Sequence, residues 1–153
     1  MMIKYTFTIL LIAFASCIHR SQGNYDVELK KFNYLCLGDS NTILLPVDFI
    51  GPKYFHYEEG AIAYFNAPDL SGVEILCGGC AELSCNKTYT ITDTIKKGID
   101  CYSVFYFDKL NKVYSRKLRT QNRTYMYENI STKRKAELDY VFDLIEKESK
   151  NNN

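Results

Sequence analysis

Residues 101–118 read CYSVFYFDKLNKVYSRKL, two runs rich in aromatic and β-branched residues separated by Asp108-Lys109-Leu110-Asn111. Side chains on a strand point alternately to opposite faces, so each run suits a pleated sheet, and the break between them suits a tight antiparallel turn. A β-hairpin is the expected result. Runs of the same kind lie at residues 61–65, 73–77, 88–91 and 124–127. Nearer the start, Tyr25, Val27 and Leu29 alternate with polar residues, and after a change of phase at Lys30-Lys31 so do Phe32, Tyr34 and Cys36. Period-two patterning of this kind marks half-buried strands. Only one segment has a helical period: Leu138, Val141, Phe142 and Ile145 fall at i, i+3, i+4 and i+7, with Ser131 or Thr132 available as the cap. The spacing predicts an α+β fold, an antiparallel β-sheet followed by a C-terminal amphipathic helix that packs its stripe on the sheet. Residues 149–153 are expected to fray.

The first residues carry a different signal. Lys4 precedes an apolar stretch at residues 9–18 (ILLIAFASCI), and Ser21, Gln22 and Gly23 follow, which is the charge, apolar core and polar exit of a signal peptide. A membrane-spanning helix needs about 20 apolar residues, and His19 and Arg20 end this run early. Residues 1–23 are therefore expected to be a cleaved leader and residues 24–153 a single secreted domain, without a membrane span. The alternative is a lipid anchor on Cys17.

Cysteine usage agrees with an oxidising compartment. Cys36, Cys77, Cys80, Cys85 and Cys101 remain after cleavage, and disulfides are the expected fate of most of them, with one left over. Cys77-Gly78-Gly79-Cys80 with Cys85 and Cys101 also has the count for a four-thiolate zinc site, and the Cys-x-x-Cys unit the form of a redox motif. Thiols in the secretory pathway meet oxidants first, so no metal is expected, and no cofactor motif is present. The Gly-Gly pair lacks the Lys-Ser/Thr of a phosphate loop. Three sequons, at Asn86, Asn122 and Asn129, fit glycosylation on that route.

Charge is nearly balanced but unevenly spread. Residues 24–108 hold 6 basic and 12 acidic side chains, residues 109–153 hold 11 and 6, so a positive face follows if the fold keeps the two halves apart. Within the basic half, Lys109, Lys112, Arg116, Lys117, Arg119 and Arg123 are interleaved and followed by Tyr114, Tyr125 and Tyr127. Cations draw phosphates and exposed rings stack on unpaired bases, so Lys109, Lys112, Tyr114, Arg116, Lys117, Arg119 and Arg123 form a candidate surface for single-stranded RNA. The plainer reading is a solvated strand face, because alternation sends Arg116 and Tyr114 to one side and Lys117 to the other. His56 is the one histidine after the leader, in Tyr54-Phe55-His56-Tyr57-Glu58-Glu59-Gly60. Beside carboxylates it suits a general acid or base; the plainer reading is an imidazole satisfied by hydrogen bonds.

These residues resemble a family. Tyr34-Leu35-Cys36 looks like the Tyr-x-Cys mark of secreted effectors of powdery-mildew-type plant-pathogenic fungi, and of the guanyl-specific fungal ribonucleases those effectors resemble. Tyr54-Phe55-His56 with Tyr57-Glu58-Glu59-Gly60 is similar to the ribonucleases' Tyr-Pro-His and Tyr-Glu-Gly segments. Residues 72–76 (GVEIL) sit where that family has its Glu-bearing strand, and Gly98-Ile99-Asp100 with residues 104–107 resembles its later hairpin. The resemblance implies a ribonuclease-like fold with His56 and Glu74 at two catalytic positions, Glu74 taking a proton from a ribose 2′-hydroxyl. It departs in the other two: Tyr102, Ser103 or Val104 stands where the family's Arg steadies the phosphate, and Leu118-Arg119-Thr120 where its second histidine protonates the leaving oxygen. Arg has too high a pKa to serve as that acid. Residues 37–53, with Pro46, Gly51 and Pro52, are too few for the family's long helix. The family's C-terminal Cys partner is also absent, which leaves Cys36 to pair with a central cysteine or stay free.

The expectation is a secreted, monomeric, non-catalytic effector, possessing a ribonuclease-like fold without the catalytic set. It would bind a host protein or single-stranded host RNA outside the producing cell or after delivery into a host cell. The alternatives are an active secreted ribonuclease and a small secreted β-barrel that binds an apolar ligand, for which 19 Tyr and Phe after the leader would line the cavity.

Overall fold

The computed structural model describes residues 18–21, 26–57, 60–78, 89–96, 102–121 and 123–151. The strands are β1 (Ile18–Ser21), β2 (Asp26–Cys36), β3 (Asp39–Pro46), β4 (Ile50–Tyr57), β5 (Gly60–Asn66), β6 (Gly72–Cys77), β7 (Tyr89–Lys96), β8 (Tyr102–Asp108), β9 (Val113–Arg119) and β10 (Thr124–Ile130), followed by helix α1 (Thr132–Asn151). A three-stranded sheet has the order β1-β2-β3, and a seven-stranded sheet the order β4-β5-β6-β10-β9-β8-β7. Every pairing is antiparallel. The fold is thus α+β: mostly antiparallel sheet, with one C-terminal helix.

The central hairpin forms where its sequence places it. β8 and β9 pair from Tyr102↔Arg119 to Asp108↔Val113. Asp108 is buried and organises the turn: its carboxylate accepts the backbone N–H of Leu110 at 2.9 Å, that of Asn111 at 3.3 Å, and the Asn111 amide at 2.8 Å. The change of phase at Lys30-Lys31 does not break β2, which pairs with β3 without interruption from Leu29↔Pro46 to Cys36↔Asp39. β7 and β10 each extend beyond the expected runs.

Two described strands lack a period-two signature. β3 carries a continuous apolar run, Ile43-Leu44-Leu45, that ends at Pro46. β4 contains Gly51 and Pro52, residues that ordinarily punctuate a chain. It accommodates them because it is the edge strand of its sheet, where a missing N–H costs no ladder bond, and because its pairing with β5 shifts register between Ile50 and Lys53. Gly51 has φ 139°, and a Cβ there would lie 2.8 Å from the Tyr64 carbonyl oxygen, so only glycine fits. The segment between Cys36 and β4 is therefore turn and strand, with no helix. β1 falls within the expected leader and pairs with Asp26 to Leu29 of β2; residues 1–17 and 22–25, Cys17 included, lie outside the described residues.

One core joins the seven-stranded sheet to the three-stranded sheet and α1, which lie side by side on one of its faces. β2 packs on β4 and β5, while α1 packs on β3, β9 and β10. The stripe read from the sequence is the buried one: Leu138, Val141 and Phe142 are enclosed and Ile145 partly so. Phe65 of β5 meets Phe32 and Tyr34 of β2 edge to face, and Phe142 of α1 meets Tyr127 of β10 in the same way at 5.1 Å. Ser131 is the cap, its Oγ accepting the Arg134 N–H at 3.4 Å. At the other end α1 continues through Asn151, further than expected, and the Ser149 hydroxyl donates to the Glu146 carbonyl.

Long-range ties hold the layers in place. Arg134 in the first turn of α1 pairs with Asp48 beyond β3, with Asp69 in the β5–β6 turn and with Glu137, and lies over the Phe49 ring. Burial alone would lower its pKa, but the hydrogen bonds to these carboxylates raise it. Cys36 and Cys77 form a disulfide that joins the end of β2 to the end of β6. Cys77 is thereby unavailable as a zinc thiolate; Cys80, Cys85 and Cys101 lie outside the described residues. The basic and acidic halves are not kept apart either, because β9 and β10 of the basic half stand between β6 and β8 of the acidic half. Replacing Cys36 and Cys77 together by Ser, which opens a loop spanning 41 residues in sequence, is expected to cost about 2–4 kcal/mol in urea unfolding.

Candidate functional site

The two family-like catalytic positions fall on neighbouring parts of one sheet but on opposite faces. His56 on β4 pairs with Ala61 of β5, while Glu74 on β6 pairs with Tyr64 of β5. Paired residues share a face and successive ones alternate, so Ala61 and Tyr64, three apart, point to opposite sides. His56 belongs to the row of Ala61 and Cys77. It is exposed and stacks on Tyr54, with ring centroids 6.5 Å apart. Glu74 belongs to the row of Tyr64 and Met126 on the other side. Proton transfer requires hydrogen-bond reach of about 3 Å or one bridging water, which this arrangement does not provide.

Glu74 is half-buried, and its carboxyl is held above the usual range, first by burial and then by the charge of Glu128. Glu128 stands on the same face of β10, its pKa also raised by burial. Of the positions where the family keeps its other catalytic groups, Ser103 is buried and accepts Nε and Nη2 of Arg116 at 3.3 and 3.2 Å. Leu118 is fully enclosed, and Thr120 donates to the Arg123 carbonyl.

The basic stretch is dispersed in the same way. Lys109 and Lys112 are exposed at the hairpin turn. Lys117 is buried on the sheet face opposite Arg116, and Arg119 lies on that same opposite face. Arg123 reaches back to Asn41 of β3 and covers the Tyr34 ring. Tyr114 stacks on Phe107 with centroids 4.8 Å apart. Asn129 is exposed in left-handed conformation at a bulge of β10, its N–H donating to the Ser115 hydroxyl. Asn86 and Asn122 lie outside the described residues, as do Glu58 and Glu59.

Arg116 is the centre of a site that sequence reasoning did not find. Its side chain is 2% exposed. Nη1 donates to the Asp139 carbonyl and carboxylate at 3.2 and 3.3 Å, Nη2 to Asp143 at 3.0 Å, and Glu146 stands 3.6 Å away. The guanidinium carbon lies 4.7 Å from the Phe105 ring centre and 5.6 Å from that of Phe142. Asp139 also accepts the Tyr127 hydroxyl at 2.6 Å and pairs with Lys135. Burial, then the charge of Asp139, raises the Tyr127 pKa far above its ordinary value, so Tyr127 stays a hydrogen-bond donor. The available signal was the spacing of Asp139, Asp143 and Glu146 at i, i+4 and i+7, a stripe beside the apolar one. Two cavities open beside this cluster. One, of about 400 Å³, is lined by Ile95, Phe105, Arg116 and the helix acids; the other, of about 520 Å³, by Asp93, Phe105, Phe107, Tyr114 and Lys135 among others.

No known protein family, curated protein or solved structure matches this chain.

Two outcomes follow from these charges. Arg116→Met leaves Asp139, Asp143 and Glu146 without their buried cation and is expected to cost about 3–5 kcal/mol of stability in urea unfolding. Because folding raises the Glu74 pKa, this group's contribution is most favourable below the ordinary carboxylate range and is lost as pH rises through its folded value. Glu74→Gln is therefore expected to raise the thermal midpoint at pH 7 and to leave it nearly unchanged at pH 3.

Proposed function

We propose that the protein is a secreted, non-catalytic effector that acts by binding a host protein, and that its sheet is a ribonuclease-like scaffold without the catalytic set. The observation that carries the binding role is an exposed apolar strip at one edge of the seven-stranded sheet. β4 presents Ile50 (58% exposed), Phe55 (55%), Tyr54 and Tyr57, and the adjoining end of β2 and the turn after it present Leu35 and Leu37 (71%). The Leu35 N–H donates to the Tyr54 hydroxyl at 2.8 Å, which ties the end of β2 to the β4 edge. Exposed apolar side chains on a sheet edge that no described strand pairs with are a usual mark of a protein interface.

Support for the non-catalytic half comes from the separation of His56 and Glu74 and from the absence of a second acid. A host protein is preferred over single-stranded RNA because the basic stretch is split between the hairpin turn, the two sheet faces and the Tyr34 ring, Lys117 is buried, and Arg116 is internal. The resemblance contributes the antiparallel sheet, Glu74 on an inner strand and the later hairpin, while the helix of this chain follows its strands. The apolar-ligand barrel finds less support: among the described residues the sheets keep free edges, and Phe65, Tyr127 and Phe142 fill the space between layers.

The test uses protein recovered from the medium of producing cells, oxidised and purified. Its N-terminus should lie near Asn24, and it should neither cleave single-stranded RNA nor bind it in a salt-sensitive way. A host partner cross-linked to the wild type should be lost with Phe55→Asp. RNA cleavage abolished by Glu74→Gln, retention of the chain in the producing cells, or a partner that ignores Phe55→Asp would each overturn the proposal.

A further inference from the structure

The face of the seven-stranded sheet that carries the core is covered unevenly. The three-stranded sheet lies over β4 and β5, and α1 lies over β9 and β10. Beyond the helix, no described residue covers that face of β7 and β8, and β7 is exposed from residue 90 to residue 95. Asp93 pairs with Phe105 and Phe105 with Arg116, so Asp93 and Phe105 share the face on which α1 is docked; Phe107 pairs with Tyr114 on the same face. The two cavities lie on either side of Phe105, which walls both, in the groove between α1 and β7. Volumes of about 400 and 520 Å³ are those of a site for a small organic molecule.

The lining states what such a molecule must be. One wall is aromatic, formed by Phe105, Phe107 and Tyr114, whose rings carry a negative quadrupole that favours cations. The protein itself shows this preference, since the Lys135 ammonium rests 5.5 Å from the Tyr114 ring centre and 5.8 Å from that of Phe105. Of the three cations in the two linings, Lys135 is committed to Asp139 and Arg116 to Ser103, Asp139 and Asp143, while Lys147 stands exposed at the end of the smaller cavity, away from Asp93. Carboxylate is in surplus. Among the described residues Asp93 receives only the backbone N–H of Thr94, at 2.7 Å, and Asp143, bound through one oxygen, leaves 58% of its side chain exposed. A flat apolar body fits the ring wall, and an ammonium group fits the remaining carboxylate.

We infer that the groove between α1 and β7 is a binding site for a small organic cation with an aromatic body, an arylalkylammonium compound, with Phe105, Phe107 and Tyr114 holding the ring and Asp93 the ammonium. The site lies on a different part of the molecule from the β4 edge and stands independently of the proposed partner.

Tryptamine is the probe. The chain contains no Trp, so indole emission reports the ligand alone. Titration of the intact oxidised protein should show saturable binding, about tenfold tighter than that of the uncharged analogue indole-3-ethanol. Asp93→Asn should bring tryptamine down to the affinity of indole-3-ethanol, and Phe107→Ala should weaken both ligands together. Asp93 is exposed and Phe107 partly so, and the thermal midpoint of each variant confirms that it is folded. No saturable binding, equal affinity for the two ligands, tighter binding of indole-3-acetate, or an Asp93→Asn variant that still prefers the cation would each overturn the inference.

Discussion

The fold is organised around a guanidinium that has almost no contact with water. Taking an ion out of water costs several kcal/mol even after the surroundings relax, and the cost is offset only when its hydrogen-bonding capacity is filled in good geometry. Arg116 meets that condition with Ser103 from the neighbouring strand and with a backbone carbonyl and three carboxylates from α1. The helix cannot slide or roll without stranding the charge. An apolar stripe alone would let α1 settle at several angles on the sheet; the acid stripe beside it selects one. The same contacts fix Asp139, through which Tyr127 and Lys135 are positioned.

Much of this architecture is legible in the residues, and the illegible part has physical causes. Alternation locates β5, β6, β8 and β9, and the i, i+3, i+4, i+7 spacing locates the buried face of α1. β3 escapes because its apolar run does not alternate: Leu44, partly buried on the side opposite Ile43 and Leu45, is as apolar as its neighbours. β4 escapes because glycine and proline signal a break unless the strand is known to lie at an edge, and edge position is a property of the whole sheet.

The sites show the same division. Parity along β9 correctly sends Arg116 and Lys117 to opposite faces. It cannot reveal that α1 covers one of those faces, so a cation in a basic run looks like surface when it is core. The separation of His56 from Glu74 depends on the register of β5 against both of its neighbours, which no local pattern encodes. The pairing of Cys36 with Cys77 depends likewise on how β2 crosses the end of β6.

The pairing of β6 with β10 carries a consequence for how the chain reaches this state. It joins Gly72 to Glu128 and Leu76 to Thr124 at the middle of the large sheet, so the two halves of that sheet close over a loop of about fifty residues. Hairpins such as β8–β9 and meanders such as β4–β5–β6 assemble from near neighbours, whereas a distant pairing pays its loop entropy before any contact rewards it. Until β10 arrives, β6 is a sheet edge rather than a central strand. During that interval its apolar run, Val73 with Ile75 and Leu76, is open to pairing with other chains, and fast closure by β9, β10 and α1 together is the chain's protection against aggregation.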